Sequence, residues 1–155
     1  MMNKSWILTA NSGCAYVYSQ KTPAASLEPL AQMFNADASS VTADTESDKL
    51  GQHAASSSNH GVGAPTQPSG YEPHQTPAQH HVELFARRIA DFLKKGYNAN
   101  SFQRIYLFAS PEFLGVLRKL LDSNLSSLIV HQADKDFTNL GPHELRGLIK
   151  TQAAA

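Results

Sequence analysis

Metal-dependent phosphodiester chemistry needs carboxylates converging from neighbouring strands. The most strand-like apolar runs, residues 6–10 and 104–109, contain no acid at all. Asp134 and Asp136 follow the last apolar run, and Asp44, Glu46 and Asp48 sit in a polar stretch. All five read as solvated turn or loop acids, and a nuclease is not expected. Seven histidines raise a metal question: His74, His80 and His81 lie close in sequence, with His53 and His60 upstream. No cysteine stands at zinc-like spacing from them, so they read as polar loop histidines. Neither a metal nor a cofactor is expected. Cys14 has no basic neighbour in sequence and reads as a small packing residue rather than a nucleophile. Ser12 and Ser110 suit a turn and a helix cap. Arg87, Arg88, Lys94 and Lys95, with Arg118 and Lys119 further on, are placed to make a basic helical surface that could meet phosphates.

The elements that would position these residues centre on residues 104–121. Ile105, Tyr106, Leu107, Phe108 and Ala109 form a run suited to a strand covered on both faces. Ser110, Pro111 and Glu112 then open a helix, and Phe113, Leu114, Leu117, Leu120 and Leu121 recur at helical spacing. Upstream, residues 6–10 and 14–20 predict two strands joined by the turn Asn11-Ser12-Gly13. Residues 27–34 predict a third, at an edge because it contains Pro29. From 36 to 79 the chain is dominated by Ser, Ala, Gly, Pro, Gln, Asn and His. So few large apolar residues cannot offset the entropy of ordering, and a long mobile loop is expected there.

Order is expected to resume at His80. Val82, Phe85, Ile89, Phe92 and Leu93 follow helical spacing, and Gly96 suits the position just past that helix's end. Residues 125–132 predict another strand, and Gly141-Pro142-His143-Glu144 opens a last helix whose buried side is Leu145, Leu148 and Ile149. The order β-β-β-loop-α-β-α-β-α is that of an α/β (α+β) ribonuclease-H-like fold with helices on the faces of one mixed sheet. The right-handed crossover rule places strand 104–109 parallel to strand 6–10, with strand 125–132 outside it.

A chain of 155 residues fits one domain, 1–155, with the 36–79 loop inserted between the third strand and the first helix. Thirteen basic and thirteen acidic residues cancel, so nucleic acid would have to be met by a local patch. One cysteine excludes an internal disulfide framework. The apolar run after Lys4 is too short for a secretory signal, and no run approaches the roughly 20 residues of a membrane span. A cytoplasmic protein without membrane insertion is expected, and no pattern sets an oligomeric state.

Five segments in order carry a family resemblance: WILTANSGCAYVY, DKLGQ, VELFARRIADFL, LFASPEFLGVLRKLL and KDFTNLGPHELRGLI. Together they resemble the bacterial host attachment proteins, known as proteins required for attachment to host cells, over residues 5–150. Members of that family typically carry an acid at the position of Asn11, a base near Cys14 or Tyr16, and Arg at the position of Gln52. An activity relying on those charges is not implied here. The family is similar in fold to the middle domain of archaeal and eukaryotic peptide-chain release factors. There a Gly-Gly-Gln loop lies between the third strand and a long helix; this chain has Gly51-Gln52 in the corresponding loop.

The resulting expectation is a non-enzymatic module that binds a macromolecule, the ribosome or RNA. Its contact residues would be Gly51, Gln52, Arg87, Arg88, Lys94 and Lys95. The alternative implied by the resemblance is a hydrolase acting on an ester such as peptidyl-tRNA, with Gln52 as its candidate catalytic residue.

Overall fold

A computed structural model describes residues 4–36 and 75–154. Most of the expected 36–79 loop, including Gly51 and Gln52, lies outside the described residues. Strands β1 (Ser5–Ala10), β2 (Cys14–Gln20), β3 (Glu28–Phe34), β4 (Arg104–Ala109) and β5 (Ile129–Ala133) form one sheet in the order β3-β2-β1-β4-β5. β2 runs antiparallel to β1 and β3, whereas β4 runs parallel to β1 and β5, as the crossover rule requires. The mixed sheet and element order match the α/β expectation.

All six residues of β1 are buried, because it lies at the sheet's centre with helices on either side. Its side chains alternate between two cores. Trp6, Leu8 and Ala10 face helix α1 (Pro77–Asn98) and helix α2 (Pro111–Leu120), which supply Phe85, Ile89, Leu93, Phe113 and Leu117. Ile7 faces the other way, where Leu145 and Ile149 of the last helix, labelled α4 (Pro142–Ala154), pack with Tyr106 and Phe108.

Helix α1 is longer than expected at both ends. It begins at Pro77 rather than His80, because Thr76 and Gln79 form a capping box. The Thr76 hydroxyl accepts from the Gln79 N–H at 3.1 Å, and the Gln79 side-chain oxygen accepts from the Thr76 N–H at 2.9 Å. At the other end Gly96 is not the terminator. The helix continues to Asn98 and closes on Ala99 and Asn100. The Ser101 N–H bonds the Gly96 carbonyl at 2.8 Å and the Asn100 N–H bonds that of Tyr97 at 3.0 Å. That pair of bonds is a Schellman motif, with Asn100 in the left-handed conformation at φ 56°. Gly96 is buried under Trp6 instead.

The expected strand 125–132 is corrected in its first half. The Asp122 carboxylate accepts from the Leu125 N–H at 2.9 Å and nucleates a short helix, α3 (Ser123–Ser127), so the strand starts only at Ile129. Leu125 is buried, but by a helical turn. In α4 the Glu144 carboxylate accepts from the Gly141 N–H at 2.8 Å, as the Pro142-led start suggested.

Candidate functional site

Helix α1 is held to the sheet by Phe85, Ile89 and Leu93, each 1% exposed or less. That anchorage turns Arg87, Arg88, Lys94 and Lys95 outward, and all four are exposed. With about 3.6 residues per turn, Arg87 and Lys94 fall in one row and Arg88 and Lys95 in the next, with Asp91 between them. The helix thus brings the four expected cations onto a single face.

Their surroundings differ. Arg87 pairs with Glu83 at 3.7 Å, one turn back, and Lys94 with Asp122 at 3.6 Å. Both pairs are solvent-exposed and therefore weak. Arg88 lies over the Phe85 ring, 5.6 Å from its centroid, and donates through Nη1 to the Phe34 carbonyl at 3.2 Å. This fixes its guanidinium at the free edge of β3. Of the basic residues on α2, Lys119 lines a groove and Arg118 faces a shallow hollow beside β5.

That groove is the second feature. It lies at the C-terminal ends of the adjacent parallel strands β1 and β4, where the chain's direction across the sheet reverses, the usual ligand position in open α/β sheets. An open groove of about 570 Å³ lies between the first two turns of α1 and the length of α2, with Ser12, Val82, Glu83, Ser110, Phe113 and Val116 among its walls. Ser110 was expected to cap α2, yet its side chain makes no capping hydrogen bond.

Just beyond, on the α4 side, residues far apart in sequence are clasped together. The Asn11 amide oxygen accepts from the Gly13 and Cys14 N–H groups at 2.8 and 2.9 Å, forming the β1–β2 turn. Its Nδ2 donates to Asp136 at 2.9 Å and to the Thr138 hydroxyl at 3.2 Å. Thr138 in turn donates its N–H and its hydroxyl to Asp136, at 3.0 and 2.6 Å.

Asp136 was expected to be a solvated turn acid; it is exposed, but it ties the β5–α4 connection to the β1–β2 turn. Partial burial pushes its pKa up, and the hydrogen bonds from Thr138 and Asn11 more than offset this, leaving the carboxyl below its ordinary range. The Asp-x-Thr spacing was the available signal for half of the clasp.

A carboxylate with a lowered folded-state pKa contributes stability above the unfolded-state value, about 3.9, and loses it as pH falls through the folded-state pKa. Asp136→Asn is therefore expected to lower the melting temperature at pH 6 and to flatten its dependence on pH below 4. Melting curves between pH 2.5 and 6 test this, and parallel pH profiles for the two proteins would refute it.

A family model described as "Protein required for attachment to host cells" matches residues 6–149. The chain belongs to that family. A comparison with curated proteins gave no match. The matched span runs from the first strand to Ile149, buried on α4. It includes both the basic face and the Asn11–Asp136 clasp. Gly51 and Gln52, the other expected contact residues, lie outside the described residues, as do His53, His60 and His74. His80 and His81 sit side by side on α1, ring centroids 6.3 Å apart. Among the described residues no three His, Cys, Asp or Glu side chains are grouped to hold a metal ion, and no described helix is long and apolar enough to cross a membrane. Cys14 is only half-buried and sits beside the Tyr16 hydroxyl.

Proposed function

We propose that this host-attachment family protein is a non-enzymatic cytoplasmic module that binds ribosomal RNA through the outward face of α1. The carrying observation is the double row Arg87/Lys94 and Arg88/Lys95 on a helix whose opposite face is locked into the core. Each row spans two helical turns, about 10 Å, which suits neighbouring phosphates of one strand. The near-neutral charge of the whole chain concentrates any such attraction on this patch. Asp91, Glu83 and Asp122 temper the field, so binding is modest and strongly salt-dependent. The resemblance to release-factor middle domains points toward the same partner.

Co-sedimentation with ribosomes at low and moderate salt tests the reading. The wild type is expected to pellet at low salt and to be released at moderate salt. The fourfold variant Arg87→Glu/Arg88→Glu/Lys94→Glu/Lys95→Glu is expected to lose binding by about tenfold or more, given one released counterion per phosphate contact. Equal pelleting of the two proteins, or none by the wild type, overturns the proposal.

A further inference from the structure

The sheet face opposite α1 is only partly covered. Leu145 and Ile149 of α4 pack with Ile7, Tyr18, Tyr106 and Phe108, while Gln32 and Phe34 of β3 on this side are exposed. Register pairing sets Cys14 opposite Phe34 and Tyr16 opposite Gln32, which puts Tyr16, Gln32 and Phe34 on one surface. Phe34 leaves 53% of its surface in water. Its ring meets the half-buried Tyr16 ring edge-on, with centroids 6.3 Å apart at 90°. Gln32 is exposed beside them. Arg88 reaches the rim of β3 from the α1 side, its guanidinium over the Phe85 ring and its Nη1 held 3.2 Å from the Phe34 carbonyl, so it flanks this corner across the sheet edge. Cys14 and then burial raise the Tyr16 pKa, and the phenol is in hydrogen-bond contact with the Cys14 side chain. Among the described acids, Asp136 already accepts from Asn11 and twice from Thr138, and Glu83 is paired with Arg87.

We infer that the Tyr16–Phe34 corner is a stacking platform for an unpaired base of RNA, with Arg88 beside it to take the adjoining phosphate. The inference rests on the RNA-binding reading above and names the form of RNA that suits it. A purely apolar occupant would cover Phe34 but strand Gln32 and the spare Arg88 donors, which is unfavourable once they are dry. A nucleotide matches all three groups: a π-face for the aromatic pair, hydrogen-bonding edges for Gln32 and an anion for Arg88. Arg88 also joins this corner to the basic face of α1, so one strand can run along the helix and turn its base onto the sheet.

Anisotropy titrations of a labelled uridine-rich single strand and of a duplex of equal length test it, using the wild type, Phe34→Ala and Phe34→Trp. The wild type is expected to favour the single strand. Phe34→Ala is expected to weaken single-strand binding about tenfold or more while leaving duplex binding and the melting temperature unchanged. Phe34→Trp should keep the affinity. If Phe34→Ala binds the single strand normally while the α1 charge variant does not, the platform is refuted and the RNA-binding reading stands. If the wild type binds neither RNA nor ribosomes, both fall. If Phe34→Ala loses ribosome pelleting but not naked RNA, a protein occupies the corner and the inference is overturned.

Discussion

Gly96→Ala is expected to destabilise the protein by roughly 1–2 kcal/mol, although alanine is the better helix former by about 1 kcal/mol. A Cβ at position 96 would lie 2.4 and 2.6 Å from two atoms of the Trp6 ring and 2.9 Å from the Phe102 ring. The indole has little room to retreat. It is 6% exposed and packs against Phe92, at 5.4 Å between centroids, and Phe102, at 4.6 Å. Forcing an extra methyl into such packing costs about 1–3 kcal/mol, and three contacts under 3.0 Å put this site in the upper part of that range, which leaves about 1–2 after the helix gain. The glycine's φ is not positive, so the requirement is for space and not for backbone freedom.

The melting temperature should fall by about 2–8 °C for a domain of this size. Trp6 is the only tryptophan, so its fluorescence reports the transition directly. In a Trp6→Phe background, which removes the offending ring atoms and is followed by circular dichroism because it has no tryptophan, the penalty should shrink. That coupling separates a clash with Trp6 from a general loss of helix. An unchanged melting temperature would mean that the end of α1 moves freely over β1.

The same residue shows where reading the sequence stops. A glycine after Lys94-Lys95 looks like a helix stop, since the local pattern says nothing about a tryptophan on the first strand. Strands β1, β2 and β4 were legible because an unbroken or alternating apolar run has few other uses, and the topology then followed from handedness. Leu128-Ile129-Val130 was equally legible as strand, but Asp122-Ser123-Asn124 ahead of it is a capping sequence, and its helical turn takes Leu125 out of β5. Local chemistry won there over apolar pattern.

For the candidate surfaces the division is similar. The four cations of α1 could be placed on one helix because their spacing is local. The Asn11–Asp136 bond joins residues 125 positions apart, and the Phe34–Tyr16–Arg88 corner depends on the β2–β3 register and on a contact from α1. Neither leaves a periodic signal. Cys14 was expected to be a buried packing residue; it stands half-exposed, because α4 covers the centre of the sheet and not this end of β2.

Leu107→Asp is expected to abolish cooperative folding at neutral pH. Leu107 is fully buried on β4, paired with Leu8 of β1 on one side and Gln132 of β5 on the other. Truncation to alanine alone should cost about 2–5 kcal/mol through lost burial and the remaining cavity. Aspartate adds a carboxylate with no cation in that core, a further several kcal/mol whether it stays charged or takes up a proton. The sum reaches the 5–15 kcal/mol that holds a typical domain together. Leu107→Ala should therefore melt cooperatively at a lower temperature, whereas Leu107→Asp should give no transition in circular dichroism. The sign with pH is opposite to that of Asp136. Burial raises the folded-state pKa of an aspartate at 107 above its unfolded value, so the defect is full above that raised pKa and eases as pH falls through it toward the unfolded value. Val130→Asp, on the exposed bulge of β5 with 53% of its surface in water, introduces the same charge and should shift the melting temperature only slightly. A soluble, cooperatively melting Leu107→Asp protein at pH 7 would place β4 outside the core, and with it the strand on which both helical layers rest.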